Sequence, residues 1–196
     1  MKTSPDSNPD VKRPAAEFDP FNNRLSRDIR NTLSEAFMAA LARMEPSAYR
    51  DEAEGWLARK PPASLAVYIQ DRLRRYDRVL EEIKDGALTE PLLQSLVLWN
   101  HGLFFEFHDH LEGIWTSAAG DTRQALKGLI KAAGVYIHHE FDHRQAAANL
   151  AAKSYSLIRQ YSHSLEFIEN LHALLQALKD LDANPPRLEN PALRPD

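Results

Sequence analysis

The densest group of ionisable side chains in this sequence lies in the segment "WNHGLFFEFHDHLEGIW", residues 99–115, which holds three histidines, three acidic residues and five large aromatic residues. On an α-helix each residue advances by about 100°, which places His108 and Trp115 in one narrow sector together with Phe104 and Leu111. Glu112 lies beside this sector, and its i,i+4 spacing from His108 lets the two side chains meet. The spacing predicts a pair of histidine and carboxylate groups on a helix face that also carries aromatic rings.

Two interpretations of this pair compete. In the first, His108 and Glu112 converge with His138, from the next long helix, on a divalent metal ion or a small polar ligand, since imidazole and carboxylate groups suit zinc, iron, manganese or nickel. In the second, His108 and Glu112 form a buried hydrogen-bonded pair that only fixes how two helices pack. The protein would then be a non-catalytic scaffold or an oligomerisation module.

Four further positions of the segment are candidate contacts of a small ligand: Asn100, Glu106, Asp109 and Trp115. A di-iron site of the four-helix-bundle kind would need Glu-x-x-His pairs on two helices, and Glu140 with His143 and Glu169 with His172 have that spacing. The geometry disfavours it, because Glu169 projects away from the apolar seam of the last helix and His143 falls in a predicted turn. Nucleophilic and nucleotide chemistry are also disfavoured, because the chain has no cysteine, no Gly-x-Ser-x-Gly elbow and no glycine-rich phosphate loop.

The same segment, followed by "ALKGLIKAAGVYIHHEF" and an alanine-rich helix, resembles the bacterial and archaeal family known as domain of unknown function 309. Members carry N-x-G-x-aromatic-aromatic-E-x-H-E-x-L-E-x-x-W and then a Gly-Leu-Ile helix with a histidine towards its end. The matching positions here are Asn100, Gly102, Phe104, Phe105, Glu106, His108, Asp109, Leu111, Glu112, Trp115, Gly128, Leu129, Ile130 and His138. The resemblance covers roughly residues 89–182 and implies a helical fold without implying a reaction.

This sequence departs from the family pattern at three positions. Asp109 stands where glutamate is usual, Lys131 where glutamine is usual, and His143 where an asparagine would belong to a turn. Lys131 bears most on the chemistry, because a cation at that position opposes a metal ion bound beside it.

Apolar residues recur every three or four positions along most of the chain, which predicts an all-α bundle of about six helices. We expect disordered, proline-rich tails at 1–20 and 184–196, an N-terminal helical pair at 21–88, and the motif domain at 89–183. The charged face of the second helix, with Arg72 among four arginines, is expected to be solvated. The apolar stripes of the helical pair would pack on the motif domain or on a second copy of the chain, giving a homo-oligomer.

Composition narrows the function classes. The formal charge of −4 and scattered basic residues argue against nucleic-acid binding through a basic surface. The absence of cysteine fits a reducing compartment, and no apolar run approaches the ~18 residues of a membrane span. We therefore expect a soluble cytoplasmic protein with no nucleic-acid or membrane partner. The cofactor that the first interpretation of His108 and Glu112 predicts is a divalent metal ion.

Overall fold

The computed structural model describes residues 18–194, and this part of the chain forms helices joined by turns and loops, with no β-strand, as the apolar periodicity predicts. Its eight α-helices are α1 (Arg24–Arg43), α2 (Ser47–Ala58), α3 (Ala63–Asp85), α4 (Pro91–Asn100), α5 (Phe104–Ser117), α6 (Gly120–Glu140), α7 (Arg144–Gln160) and α8 (Leu171–Asp180). Two short 3₁₀ turns, Ser162–Ser164 and Pro191–Leu193, complete these described elements. None of the described helices combines the length and apolar character needed to cross a membrane.

The expected number of about six helices was too low for two reasons. Helix α2 buries only a narrow stripe, Tyr49, Ala53 and Trp56, so its periodicity is weak and the N-terminal unit has three helices instead of a pair. The motif segment, moreover, breaks between α4 and α5 at Gly102, whose φ of +67° favours glycine. A Cβ on Gly102 would also lie 2.8 Å from Nη1 of Arg75, which donates to the carbonyls of His101 and Gly102.

Helices α6 and α7 pack closely because small residues face each other. An added Cβ on Gly128 would lie 2.8 Å from Cγ1 of Ile158, and Ala147 and Ala151 are buried on α7. Ser154 donates a hydrogen bond of 2.8 Å to the carbonyl of Gly128 across this contact. The alanine-rich sequence of α7 therefore sets a short distance between the two helices.

Buried polar contacts join α3 to the motif segment. Tyr76 on α3 donates a 2.6 Å hydrogen bond to Oε1 of Glu106 on α5, and both side chains are fully buried. Arg72, one turn earlier, is only 5% exposed and donates to the carbonyl of Gly102 at 3.4 Å. The expectation that Arg72 lies on a solvated face is wrong, because the turn at Gly102 and the end of α6, where Glu140 lies 3.8 Å from Arg72, pack on this side of α3.

The predicted N-terminal tail, 1–20, lies mostly outside the described residues, although Phe18 is described and stacks on Tyr68 with ring centroids 3.6 Å apart.

The predicted C-terminal tail is corrected over 184–194, where the chain lies against α4. Leu188 is 1% exposed, and its backbone exchanges two hydrogen bonds with the side chain of Asn100. Trp99 donates its indole N–H to the carbonyl of Pro186 at 2.8 Å. Composition alone missed this docking, because the segment is held by single contacts and has no periodicity of its own.

Candidate functional site

A cleft of about 440 Å³ lies between α5 and α6, with α1, α7 and the residues before α1 contributing to its walls. Helix α5 supplies Phe105, His108, Glu112 and Trp115, which recur every three or four positions along one face. Helix α6 supplies the opposite wall at the same helical spacing. The full lining is Phe21, Arg30, Phe105, His108, Glu112, Trp115, Lys127, Ile130, Lys131, Gly134, Ile137, His138 and Leu150.

Much of the lining is apolar and aromatic. Gly134 lets α6 and the side chain of Leu150 on α7 pack closely at the base of the cleft, since a Cβ on Gly134 would lie 3.0 Å from Cδ1 of Leu150. Two rings of the cleft carry cations on their faces: the Arg30 guanidinium lies 3.9 Å from the ring centre of Phe105, and Arg123 lies 4.0 Å from that of Trp115. These contacts hold flat surfaces in place beside positive charge.

The cleft is electropositive. Arg30, Lys127 and Lys131 line it together with one carboxylate, Glu112. Among the described residues, none of these three cations lies within ion-pair distance of a carboxylate. Burial, followed by the charges of Lys127 and Lys153, lowers the pKa of Lys131. Positive charge is thus gathered at the cleft without an internal counter-ion for each group.

The predicted pair of His108 and Glu112 does meet in the cleft, but loosely. Nε2 of His108 lies 3.9 Å from Oε1 of Glu112, and the two side chains are 31% and 54% exposed. On the other side of the ring, Nδ1 lies 3.6 Å from Oδ1 of Asp109. This Nδ1 is buried and has no hydrogen-bond partner among the described residues, and neither has the indole N–H of Trp115. The cleft therefore contains polar atoms that a bound molecule would satisfy.

His108, Asp109 and Glu112 offer ligand atoms that all lie within 4.8 Å of one another, which is the best described group for a cation. Asp109 also accepts a hydrogen bond from Ser34 on α1 at 3.1 Å. The structure thus puts Asp109 with His108 and Glu112, where the sequence had predicted His138.

His138 lines the same cleft but has other partners. Its ring stacks on Phe21 with centroids 4.8 Å apart, and its Nδ1 lies 3.4 Å from Nδ1 of His143. Burial and the nearby charge of His143 lower the pKa of His138. The residue is therefore a neutral, stacked wall of the cleft and lies outside the group of potential metal ligands.

Two predicted ligand contacts lie elsewhere. The amide of Asn100 is occupied by the backbone of Leu188, and Glu106 is buried against Tyr76. Burial and the Glu106 carboxylate raise the pKa of Tyr76 well above its usual value, so Tyr76 stays protonated and donates. Neither residue lines the cleft, because the half-buried Asn100 bonds to the C-terminal segment and Glu106 lies in the core against α3.

Trp115, also a predicted ligand contact, does line the cleft. The sequence placed Phe104 on the same face as Trp115, but the aromatic ring of α5 that lines the cleft with Trp115 is that of Phe105. Phe104 is 5% exposed and packs on Trp99 and Tyr136 in the core. Sequence reasoning also missed Lys127, although its i,i+4 spacing from Lys131 was a usable signal. Phe21 and Arg30 gave no such signal, because only the tertiary packing of α1 brings them to α5.

Residues 92–150 match the family model described as Domain of unknown function (DUF309). The match runs from α4 into α7 and confirms, over these residues, the resemblance that the motif indicated. No curated protein and no solved structure matches the chain. The function is therefore argued from the cleft itself.

Proposed function

We propose that this protein, whose residues 92–150 match the DUF309 family model, binds a small organic anion with an apolar body in the cleft between α5 and α6. The observation that carries the proposal is the combination of aromatic walls with Arg30, Lys127 and Lys131 around a single lining carboxylate. An apolar body would displace water from the rings, and the anionic group would neutralise the cations.

The charge arrangement supports a ligand site over a packing device. A pair that only fixes helix packing should be buried and fully hydrogen-bonded, whereas Glu112 is 54% exposed and 3.9 Å from His108. The cations of the cleft have no carboxylate partner in the described part of the chain, so their mutual repulsion lowers the stability of the free protein. Such a cost to stability is typical of residues retained for binding. The scaffold interpretation leaves this unpaired charge unexplained.

The test compares two fluorescent probes of similar shape and different charge. 8-Anilinonaphthalene-1-sulfonate is an aromatic anion, and N-phenyl-1-naphthylamine is its uncharged counterpart. We expect the anion to bind with one-to-one stoichiometry, and a Lys127→Gln/Lys131→Gln double variant to lose on the order of tenfold in affinity for it, which corresponds to about 1.4 kcal/mol. Binding of the neutral probe should change less than about twofold, since its contacts are apolar.

Lys84→Gln provides the matched control, because Lys84 is exposed on α3 and does not line the cleft. This variant should bind both probes like the wild type. If the lysine double variant and the Lys84 variant bound the anion equally well, or if the neutral probe bound as tightly as the anion, the electropositive cleft would not be the binding site.

A divalent cation at His108, Asp109 and Glu112 is the second candidate, favoured by the 4.8 Å grouping of their ligand atoms. Against it, Arg30 lies close enough for the charge of Asp109 to influence its ionisation, and Lys131 lines the same cleft. Titration calorimetry with Zn²⁺ and with Mn²⁺ on tag-free protein distinguishes the two. Stoichiometric binding that Asp109→Asn abolishes and Asp51→Asn leaves intact would favour the metal site.

A further inference from the structure

We infer that the anionic group of the ligand is a phosphate monoester, held by Lys127, Lys131 and Lys153 where the cleft meets a neighbouring groove. This inference rests on the proposed function and specifies the head group of the same ligand. It assigns to Lys153, on α7, a role in binding that the cleft alone does not show.

The geometry places the three lysines around one junction. Lys127 and Lys131 line the cleft and also line an adjoining groove of about 470 Å³. The rest of that groove comes from α7, namely Ala152, Lys153, Ser156 and Leu157. An anion bound in this groove would therefore have Lys127 and Lys131 of α6 on one side and Lys153 of α7 on the other.

The number and type of the cations favour a dianion. Mutual repulsion is evident, since the charges of Lys127 and Lys153 both lower the pKa of Lys131 after the larger effect of burial. In the described part of the chain no carboxylate lies within ion-pair distance of any of the three. A phosphate monoester carries a charge of about −1.5 to −2 at neutral pH and three acceptor oxygens, so one group can neutralise most of the cluster.

The residue type also fits a phosphate. The planar fork of arginine donates two parallel hydrogen bonds to a carboxylate or a phosphate, and lysine is the other residue that commonly binds phosphate. Here the arginine of the cleft, Arg30, lies over the ring of Phe105, and its Nε and Nη2 donate to the side chain of Asn31. Lysines act as mobile point charges, which suits the tetrahedral oxygens of a phosphate.

The apolar cleft next to the lysines defines the other half of the ligand. Ile130 on α6 and Trp115 on α5 line the space that opens from Lys127 and Lys131. The Trp115 indole N–H, which is buried and has no partner among residues 18–194, is a further donor for an oxygen of the ligand. The ligand class is thus a phosphate ester of an aromatic or similarly apolar alcohol.

The experiment measures the affinity of the full chain by titration calorimetry for 1-naphthyl phosphate, naphthalene-1-sulfonate and inorganic phosphate at pH 7.5. The first probe joins an aromatic ring system to a dianionic group, the second joins the same ring system to a monoanionic group, and the third is the anion without the ring system. We expect the naphthyl phosphate to bind at least tenfold more tightly than either of the others, because only it uses the cleft and all three lysines.

Variants of Lys153 test the contribution of the groove. Lys153→Gln should weaken binding of naphthyl phosphate about fivefold and of the sulfonate by less than twofold, and Lys153→Arg should retain most of the affinity. Lys179→Gln, an exposed lysine on α8, is the matched control and should alter neither. Near-ultraviolet circular dichroism and an unchanged melting temperature verify that each variant is folded.

The outcomes separate this inference from the proposed function. If the sulfonate bound as tightly as the phosphate ester and Lys153→Gln had no effect, the head-group assignment would be wrong while the anion-binding cleft stood. If inorganic phosphate bound as tightly as the ester, the lysines would be an adventitious ion site independent of the cleft, and the inference would fail. Failure of both aromatic anions to bind would overturn the proposed function together with it.

Discussion

Replacing Tyr76 by phenylalanine removes the one hydrogen bond that the Glu106 carboxylate receives from the described residues. The bond is 2.6 Å long, both side chains are fully buried, and the second carboxylate oxygen, Oε2, has no hydrogen-bond partner within residues 18–194. The ring that stacks on Phe37, with centroids 4.0 Å apart, is kept in the variant. Loss of a hydrogen bond to a buried charge costs about 1.5–3 kcal/mol, so we expect the free energy of unfolding to fall by about 2–3 kcal/mol.

Tyr49→Phe is a matched control, because Tyr49 is also buried and its hydroxyl also donates a 2.6 Å hydrogen bond to a carboxylate. Its partner, Asp77, is 45% exposed and pairs with Arg50 at 2.7 Å, so water and Arg50 replace the lost donor. We expect this control to lose less than about 1 kcal/mol.

Urea unfolding followed by tryptophan fluorescence measures both variants, with the slope against denaturant as a check that the unfolded state is unchanged. The Tyr76→Phe/Glu106→Leu double variant should regain part of the loss, because an apolar side chain needs no partner at this position. Equal losses in the two tyrosine variants, or a Tyr76→Phe loss below about 1 kcal/mol, would refute the view that Glu106 is a buried, singly satisfied carboxylate.

Three further changes test other contacts. Burial and the charge of His143 lower the pKa of His138, so the folded state binds fewer protons than the unfolded state. Stability should therefore fall as the pH drops from about 6.5 to the lowered pKa of His138. Thermal melts of the His138→Gln variant should show a smaller fall over the same pH range. His108→Ala should cost less than about 1 kcal/mol in urea unfolding, because Glu112 is half-exposed and 3.9 Å away; a loss above about 2 kcal/mol would restore the packing-pair interpretation. Asn100→Ala removes both hydrogen bonds to Leu188, so limited proteolysis should cut the chain near 184–194 sooner than in the wild type, and an unchanged cleavage pattern would contradict that docking.

Local patterns predicted most helices of this fold because each buries a regular stripe. The seam of α3 illustrates this, because Leu65, Ile69, Tyr76 and Ile83 recur at helical spacing in the sequence and are all buried. Gly102 indicated a kink in the motif helix, but its spacing did not predict a full break or the hydrogen bonds that Arg75 donates to this turn from another helix. The burial of Arg72 was missed for the same reason, since sequence spacing shows which residues share a face but not what covers it.

The site shows the same division between local and tertiary information. The spacing of His108 and Glu112 correctly put both on one wall of the cleft, and the motif identified Trp115. The helical wheel could not predict that Glu112 is half-exposed, because exposure depends on where α6 lies. The helical wheel also could not show that Phe105, and not Phe104, lies beside Trp115 in the cleft, since both faces of this part of α5 are apolar.

The match to the family model, residues 92–150, ends before Lys153 and begins after α1 and α3. Yet Phe21 and Arg30 form part of the cleft, and Tyr76 supplies the hydrogen bond to the motif residue Glu106. The motif therefore provides one wall and a buried carboxylate, while segments outside the match provide the rest of the cleft and its electropositive groove. It follows that two proteins with the same motif and different N-terminal helices would present different clefts, so the motif alone does not determine which ligand is bound.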